Sequence, residues 1–140
     1  MSKLIIPFML IGALFFASFN MLKPSIKFDK IEHDFGKIPQ SEPVSCEFTF
    51  TNDGDAPLIL TNVKASCGCT TPDWPQEPIM PGAQGVIKAT YNAAAAGVFD
   101  KTITVFSNSS KPELILKLRG VVEKRTVDDG NGGKTELKLN

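Results

Sequence analysis

From Pro24 onward, apolar and polar residues alternate in short runs divided by turn residues, the signature of strands with one buried face. In Val44 to Thr51 the apolar members are Val44, Cys46, Phe48 and Phe50, while Ser45, Glu47, Thr49 and Thr51 take the other face. Asn52-Asp53-Gly54-Asp55 follows, with Asp-Gly suited to positive φ, and Leu58 to Val63 resumes the pattern; the pair predicts a hairpin. Pro81-Gly82 predicts a turn that leads into a strand over Gly85 to Asn92, with Ile87, Ala89 and Tyr91 inward. Phe99 to Phe106 and Glu113 to Val122 continue the series, the second alternating Leu114, Leu116 and Leu118 against Ile115, Lys117 and Arg119. Ile26 to Phe28 with Ile31 to Phe35 forms an initial broken strand, and Thr70 to Trp74 a short one. Helix signals are nearly absent: Ala93 to Ala96 ends in Gly97 and is too short to nucleate a helix, which predicts a loop. About seven strands over roughly 100 residues predict an all-β, immunoglobulin-like sandwich of two packed antiparallel sheets.

The chain divides into residues 1–23, the sandwich at 24–122 and a polar tail at 123–140. Leu4 to Phe19 carries no charge, and no polar face would let it pack on a soluble domain. It predicts a signal peptide or an uncleaved anchor, because residues 4–22 as a helix would extend about 28 Å, close to the hydrocarbon thickness of a bilayer. No Ala-x-Ala pattern marks a cleavage site near Ala17, Ser18 and Phe19, which tilts the expectation toward an anchor. The tail, with Asp128-Asp129-Gly130-Asn131-Gly132-Gly133, predicts a mobile segment or at most a loose hairpin, whose Leu137 and Leu139 could add to a partner's sheet edge.

Composition removes one class of function. Fifteen basic residues balance fifteen acidic ones, so no field favours nucleic acid. There is also no phosphate-cradling glycine loop, nucleophile elbow or histidine-rich metal motif, and the expectation is a non-enzyme without a cofactor.

The candidate chemistry is concentrated in Cys67-Gly68-Cys69. Three readings stand. The segment could shape a loop, the glycine supplying an unusual φ and the thiols filling space. It could be a redox pair, since a bridge across one residue closes a very small ring that is readily reduced. Or the thiolates could hold a soft metal, copper(I) rather than zinc, because a closed zinc site wants four ligands and the chain offers only His33 beside its three cysteines. Cys46 is expected in the core. His33 is expected as a hydrogen-bonded residue at a strand end, with Phe35 in the core and Gly36 in a turn. Trp74, flanked by Pro72 and Pro75, is either a cap on the sandwich or an exposed contact. The prolines at 72, 75, 78 and 81 exclude a central strand and predict an extended recognition surface centred on Trp74 and Pro75.

Five segments, in order, carry a resemblance: His33-Asp34-Phe35-Gly36, Thr51 to Leu58, Ser66-Cys67-Gly68-Cys69-Thr70, Pro81-Gly82 and Lys101 to Val105. Together they resemble the bacterial envelope family called domain of unknown function 1573, over about Ile26 to Val122. The resemblance implies an immunoglobulin-like sandwich related to major-sperm-protein and cilia-associated modules, exported to the periplasm or cell envelope of a Gram-negative bacterium. It implies no activity. Where many relatives place basic and glycine residues after an asparagine, this chain has Asn92-Ala93-Ala94-Ala95-Ala96-Gly97, which offers nothing to an anion. The resulting expectation is a non-enzymatic envelope module that shows sheet edges and loops to a protein partner and reaches the membrane through residues 4–22 if they are retained. The competing expectation is a thiol-based redox or copper(I)-handling protein using Cys67 and Cys69.

Overall fold

The computed structural model describes residues 21–128 and 134–136. The expected signal or anchor segment up to residue 20, the tip of the tail hairpin, and Leu137 and Leu139 lie outside the described residues.

Eight strands form two four-stranded sheets. The first sheet, ordered β1-β3-β6-β5, contains β1 (Ile26–Phe28), β3 (Val44–Asn52), β6 (Gln84–Tyr91) and β5 (Thr70–Asp73). The second, ordered β2-β8-β7-β4, contains β2 (Glu32–Pro39), β8 (Glu113–Glu123), β7 (Gly97–Ser107) and β4 (Leu60–Ala65). In the tail, β9 (Thr126–Asp128) pairs antiparallel with β10 (Lys134–Glu136), which gives the expected hairpin.

The inward sets of β3, β6 and β8 are those the alternation predicts. Phe48, Phe50, Ile87, Ala89, Leu116 and Leu118 are wholly buried and join Ile103, Leu58 and Val105 in the main core. A second cluster of Ile38, Tyr91, Ala93, Phe99 and Val122 closes one end of the sandwich. There the rings of Tyr91 and Phe99 stack at 4.1 Å. Cys46 is buried in the main core and unbridged, as expected; burial pushes its thiol up to about 11, so it remains protonated.

Several expectations need correction. The Asn52 to Asp55 turn does not close a hairpin: β3 pairs with β1 and β6, β4 pairs with β7, and the turn crosses between sheets. Alternation reports which face is buried and is silent on which sheet receives the next strand. Gly54 has no positive φ. It is required because a Cβ there would collide with Lys23 O and Ser25 N, where the N-terminal segment crosses the turn. Ile26 to Phe28 and Ile31 to Phe35 belong to opposite sheets, so the strands number eight rather than seven. The sheets are also not wholly antiparallel, because β2 runs parallel to β8. Gly36 lies within a strand instead of a turn. It adopts φ 64° at a bulge where Phe35 and Gly36 together oppose Gly120, and the Asp34 carboxylate accepts the Gly36 N–H at 2.8 Å.

The Pro81-Gly82 expectation holds. Ala83 N–H donates to Met80 O at 2.9 Å around Gly82, whose φ is 81°. Ala93 to Ala96 is a loop, as expected, and Gly97 opens β7.

Candidate functional site

The Cys67 turn joins the edge strand β4 of one sheet to the edge strand β5 of the other. Its backbone is fixed at both ends. Ser66 N–H donates to Thr102 O at 2.8 Å, and Ser66 Oγ accepts Thr102 N–H at 3.1 Å. Beyond the cysteines, Thr70 N–H donates to Cys67 O at 3.4 Å and Asn92 N–H donates to Cys69 O at 2.9 Å. Between these anchors Cys67 and Cys69 are joined by a disulfide. Both are half-buried, but their surroundings differ. Cys69 packs against the Tyr91 and Phe99 cluster, whereas Cys67 has the Thr70 hydroxyl 4.0 Å from its sulfur.

Gly68 is exposed, has no positive φ and has nothing within 4 Å of where a Cβ would be. The unusual φ expected of it is absent, and a side chain at this position would meet no residue beyond the two cysteines. In the bridged form the pair presents no thiolate to a metal. Among the described residues no three His, Cys, Asp or Glu side chains converge in a metal-ligating group.

Two further loops share this end of the molecule. The β2–β3 turn approaches the β6–β7 loop through Ser41 N–H to Ala93 O at 2.9 Å and Gln40 Nε2–H to Ala94 O at 3.0 Å. The N-terminal segment enters at the opposite end, where Asp55 N–H donates to Lys23 O at 3.0 Å. Eleven-residue β8 runs from one end to the other, which sets them roughly 35 Å apart.

Trp74 follows β5, a short strand that pairs only with β6 and is therefore an edge, as its prolines predict. The indole is half-buried and packs on the main core. It also lines, with Pro75, Glu47, Asp73, Val86 and Lys88, a shallow groove on the outer face of the first sheet. Lys88 stands in register with Glu47 on one side and Asp73 on the other, so a basic residue is set between two acidic ones across the outer face of the sheet.

His33 is far simpler than a catalytic base. It lies near the start of β2, accepts a hydrogen bond from Lys30 Nζ at 3.2 Å through Nδ1, and packs edge-on against Phe35 at 4.5 Å. Desolvation lowers its pKa, the Lys30 ammonium lowers it further, and Asp34 acts in opposition.

Apart from β5, the sheet edges could not be assigned from sequence, and the four differ. β1 has three residues, β5 contains Pro72, and β2 is interrupted by the Gly36 bulge and ends at Pro39. β4 has six residues and no proline, and its irregularity against β7 lies at its start, between Leu60 and Asn62, so that Asn62 to Ala65 keep a regular register. Because Ser66 N–H bonds to β7, alternation turns the N–H and C=O groups of Val63 and Ala65 away from β7, toward the open side. The one signal for this in the sequence is the absence of proline and glycine from Leu60 to Ala65.

These signature segments now have physical roles. Asp34 and Gly36 build the bulge, Asn52 and Gly54 lock a crossing, and Cys67 to Cys69 close another. A family model described as a protein of unknown function (DUF1573) matches residues 26–122. The chain belongs to this family. A comparison with curated proteins finds no match. Among solved structures, this DUF1573 domain is similar to a protein of unknown function from Porphyromonas gingivalis W83, with TM-score 0.64 and 17% identity over 71% of this chain and 47% of that one. The DUF1573 chain thus spans about half the length of that relative. It is also similar to the ASH / PapD-like domain 7 of human CEP192, with TM-score 0.63 and 10% identity over 85% of this chain and 99% of that domain. The CupB2 chaperone of Pseudomonas aeruginosa follows at TM-score 0.51 and 13% identity, over 69% of this chain and 55% of that one. At such identities these likenesses concern the fold alone.

Proposed function

We propose that this DUF1573 domain is a non-enzymatic binding or scaffold module of the bacterial cell envelope, which receives an extended segment of a protein partner along β4. The observation that carries this reading is the contrast among the four edges: β1 is short, β5 carries Pro72 and β2 is bulged at mid-strand and ends at Pro39, whereas β4 has no proline and, past an irregularity between Leu60 and Asn62 at its start, keeps a regular register through Ala65. Outward N–H and C=O groups at Val63 and Ala65 supply the ladder that strand addition uses. Asn62 and Lys64 keep the unoccupied edge hydrated, since both are exposed. The groove at Trp74 and Pro75 is the second contact, an aromatic face bordered by the charges of Glu47, Asp73 and Lys88. This role asks for no catalytic group. If residues 4–22 stay in the membrane, the N-terminal entry faces the bilayer and the Cys67 end points away from it.

The test is crosslinking in native envelope, with a photoreactive residue at Lys64 and a control at Lys27 on the outer face of β1. An adduct at position 64, diminished by Ala65→Pro in a variant that still folds, supports strand addition, because that N–H is not used by the β7 ladder. Equal adducts at 64 and 27, or none at 64, would overturn it.

A further inference from the structure

We propose that Cys67 and Cys69 are a thiol–disulfide exchange site that passes its disulfide to a polypeptide dithiol. This goes beyond the display role above and does not rest on it.

The first observation is that the bridge has little structural work. It closes a loop of only three residues, and short loops remove little entropy from the unfolded chain. The turn is already held by Ser66 to Thr102 on one side and Asn92 to Cys69 on the other. Opening the bridge leaves those bonds in place, so the reduced form keeps the geometry needed to close again.

The second is the asymmetry of the two sulfurs. Both are half-buried, but Cys69 packs on the apolar cluster of Tyr91 and Phe99, while Cys67 Sγ has the Thr70 hydroxyl at 4.0 Å. The sulfur with the polar neighbour, Cys67, is therefore assigned as the one an incoming thiolate attacks. The third cysteine takes no part, since Cys46 is buried in the other cluster.

The reaction balances as follows. A substrate thiolate attacks Cys67 Sγ; the Cys67–Cys69 bond breaks, and Cys69 leaves as a thiolate that takes up a proton. A second substrate thiolate then attacks the substrate sulfur of the mixed disulfide. The substrate disulfide forms, and Cys67 leaves as a thiolate and is protonated. Two electrons and two protons pass from the substrate dithiol to the domain. A bridge in so small a ring favours this direction, because disulfides in very small rings are readily reduced.

The experiment uses the oxidised full-length chain in detergent and a synthetic peptide carrying two cysteines. After acid quench and alkylation, mass spectrometry should find one peptide disulfide formed for each Cys67–Cys69 bridge lost. The double variant Cys67→Ser with Cys69→Ser should form none above background. A peptide with a single cysteine, quenched early, should be found on Cys67. A bridge that survives excess peptide, equal oxidation by the double variant, or an adduct confined to Cys69 would each overturn the proposal. The adduct mapping uses the native chain, so it stands even if the double variant folds poorly.

Discussion

Two of the crossings between the sheets, β3 to β4 and β4 to β5, are built from different materials. The first is held by a buried amide. Asn52 is wholly buried; its Nδ2 donates to Ala56 O and Ile79 O, both at 2.8 Å, and its Oδ1 accepts Gly54 N–H at 3.0 Å and Ser25 N–H at 3.4 Å. One side chain thereby ties β3, the crossing, the β5–β6 connection and the N-terminal entry. The second crossing is half-exposed and is held by backbone bonds and a disulfide across one residue. A polar group buried with all its partners specifies a fold, because each partner left unpaired is costly. A small bridge at the surface constrains little and is free to react.

That contrast predicts an order of effects. Asn52→Leu should be the most damaging change, destabilising by about 3 kcal/mol or more, since it strands several part-buried carbonyl and N–H groups. Urea unfolding measures it, and a loss under about 1 kcal/mol would mean the amide is not what holds this crossing. Gly54→Ala should follow at about 1–3 kcal/mol, because the new methyl meets backbone atoms of Lys23 and Ser25 that must move. The check on mechanism is that the same change should loosen protection of the Asp55 amide, which bonds Lys23 O.

At the other crossing, Cys67→Ser with Cys69→Ser should cost about 1.5 kcal/mol or less, the loop-entropy value for so short a ring. A thermal midpoint that collapses in this variant would erase the contrast between the two crossings.

The smallest effect concerns His33, outside both crossings. Its folded pKa lies below 6.5, so the unfolded chain binds a proton more readily. The preference for neutral His33 is present in full above about 6.5 and stability is lost as pH falls from there toward the folded pKa. NMR titration should show the depressed pKa, and Lys30→Gln should raise it toward 6.5 by removing a nearby ammonium.

Much of this domain was legible along the chain because burial in a sheet has a period of two. Phe48, Phe50, Ile87, Ala89, Leu116 and Leu118 could be placed inward from alternation alone. Turn chemistry was legible where one residue must satisfy it, as at Gly82. The role of Asn52 was not, since a turn asparagine and a buried clamp are the same residue until its partners, 4 and 27 positions away, are in place. The candidate site divides in the same way. The spacing of Cys67 and Cys69 marked the pair as candidate chemistry, but not that the two would be bridged or that Cys69 would pack on the Tyr91 and Phe99 cluster.

The sequence by itself determined the all-β class, the inward faces, the loop at Ala93 to Ala96 and the family, because these depend on local periodicity and short motifs. Tertiary structure alone decided which turns cross between sheets, that β2 lies parallel to β8, and that β4 is an edge strand. The physical reason is that strand pairing joins backbone groups distant in sequence through hydrogen bonds that any residue but proline can make, so side-chain pattern leaves the choice of neighbour open.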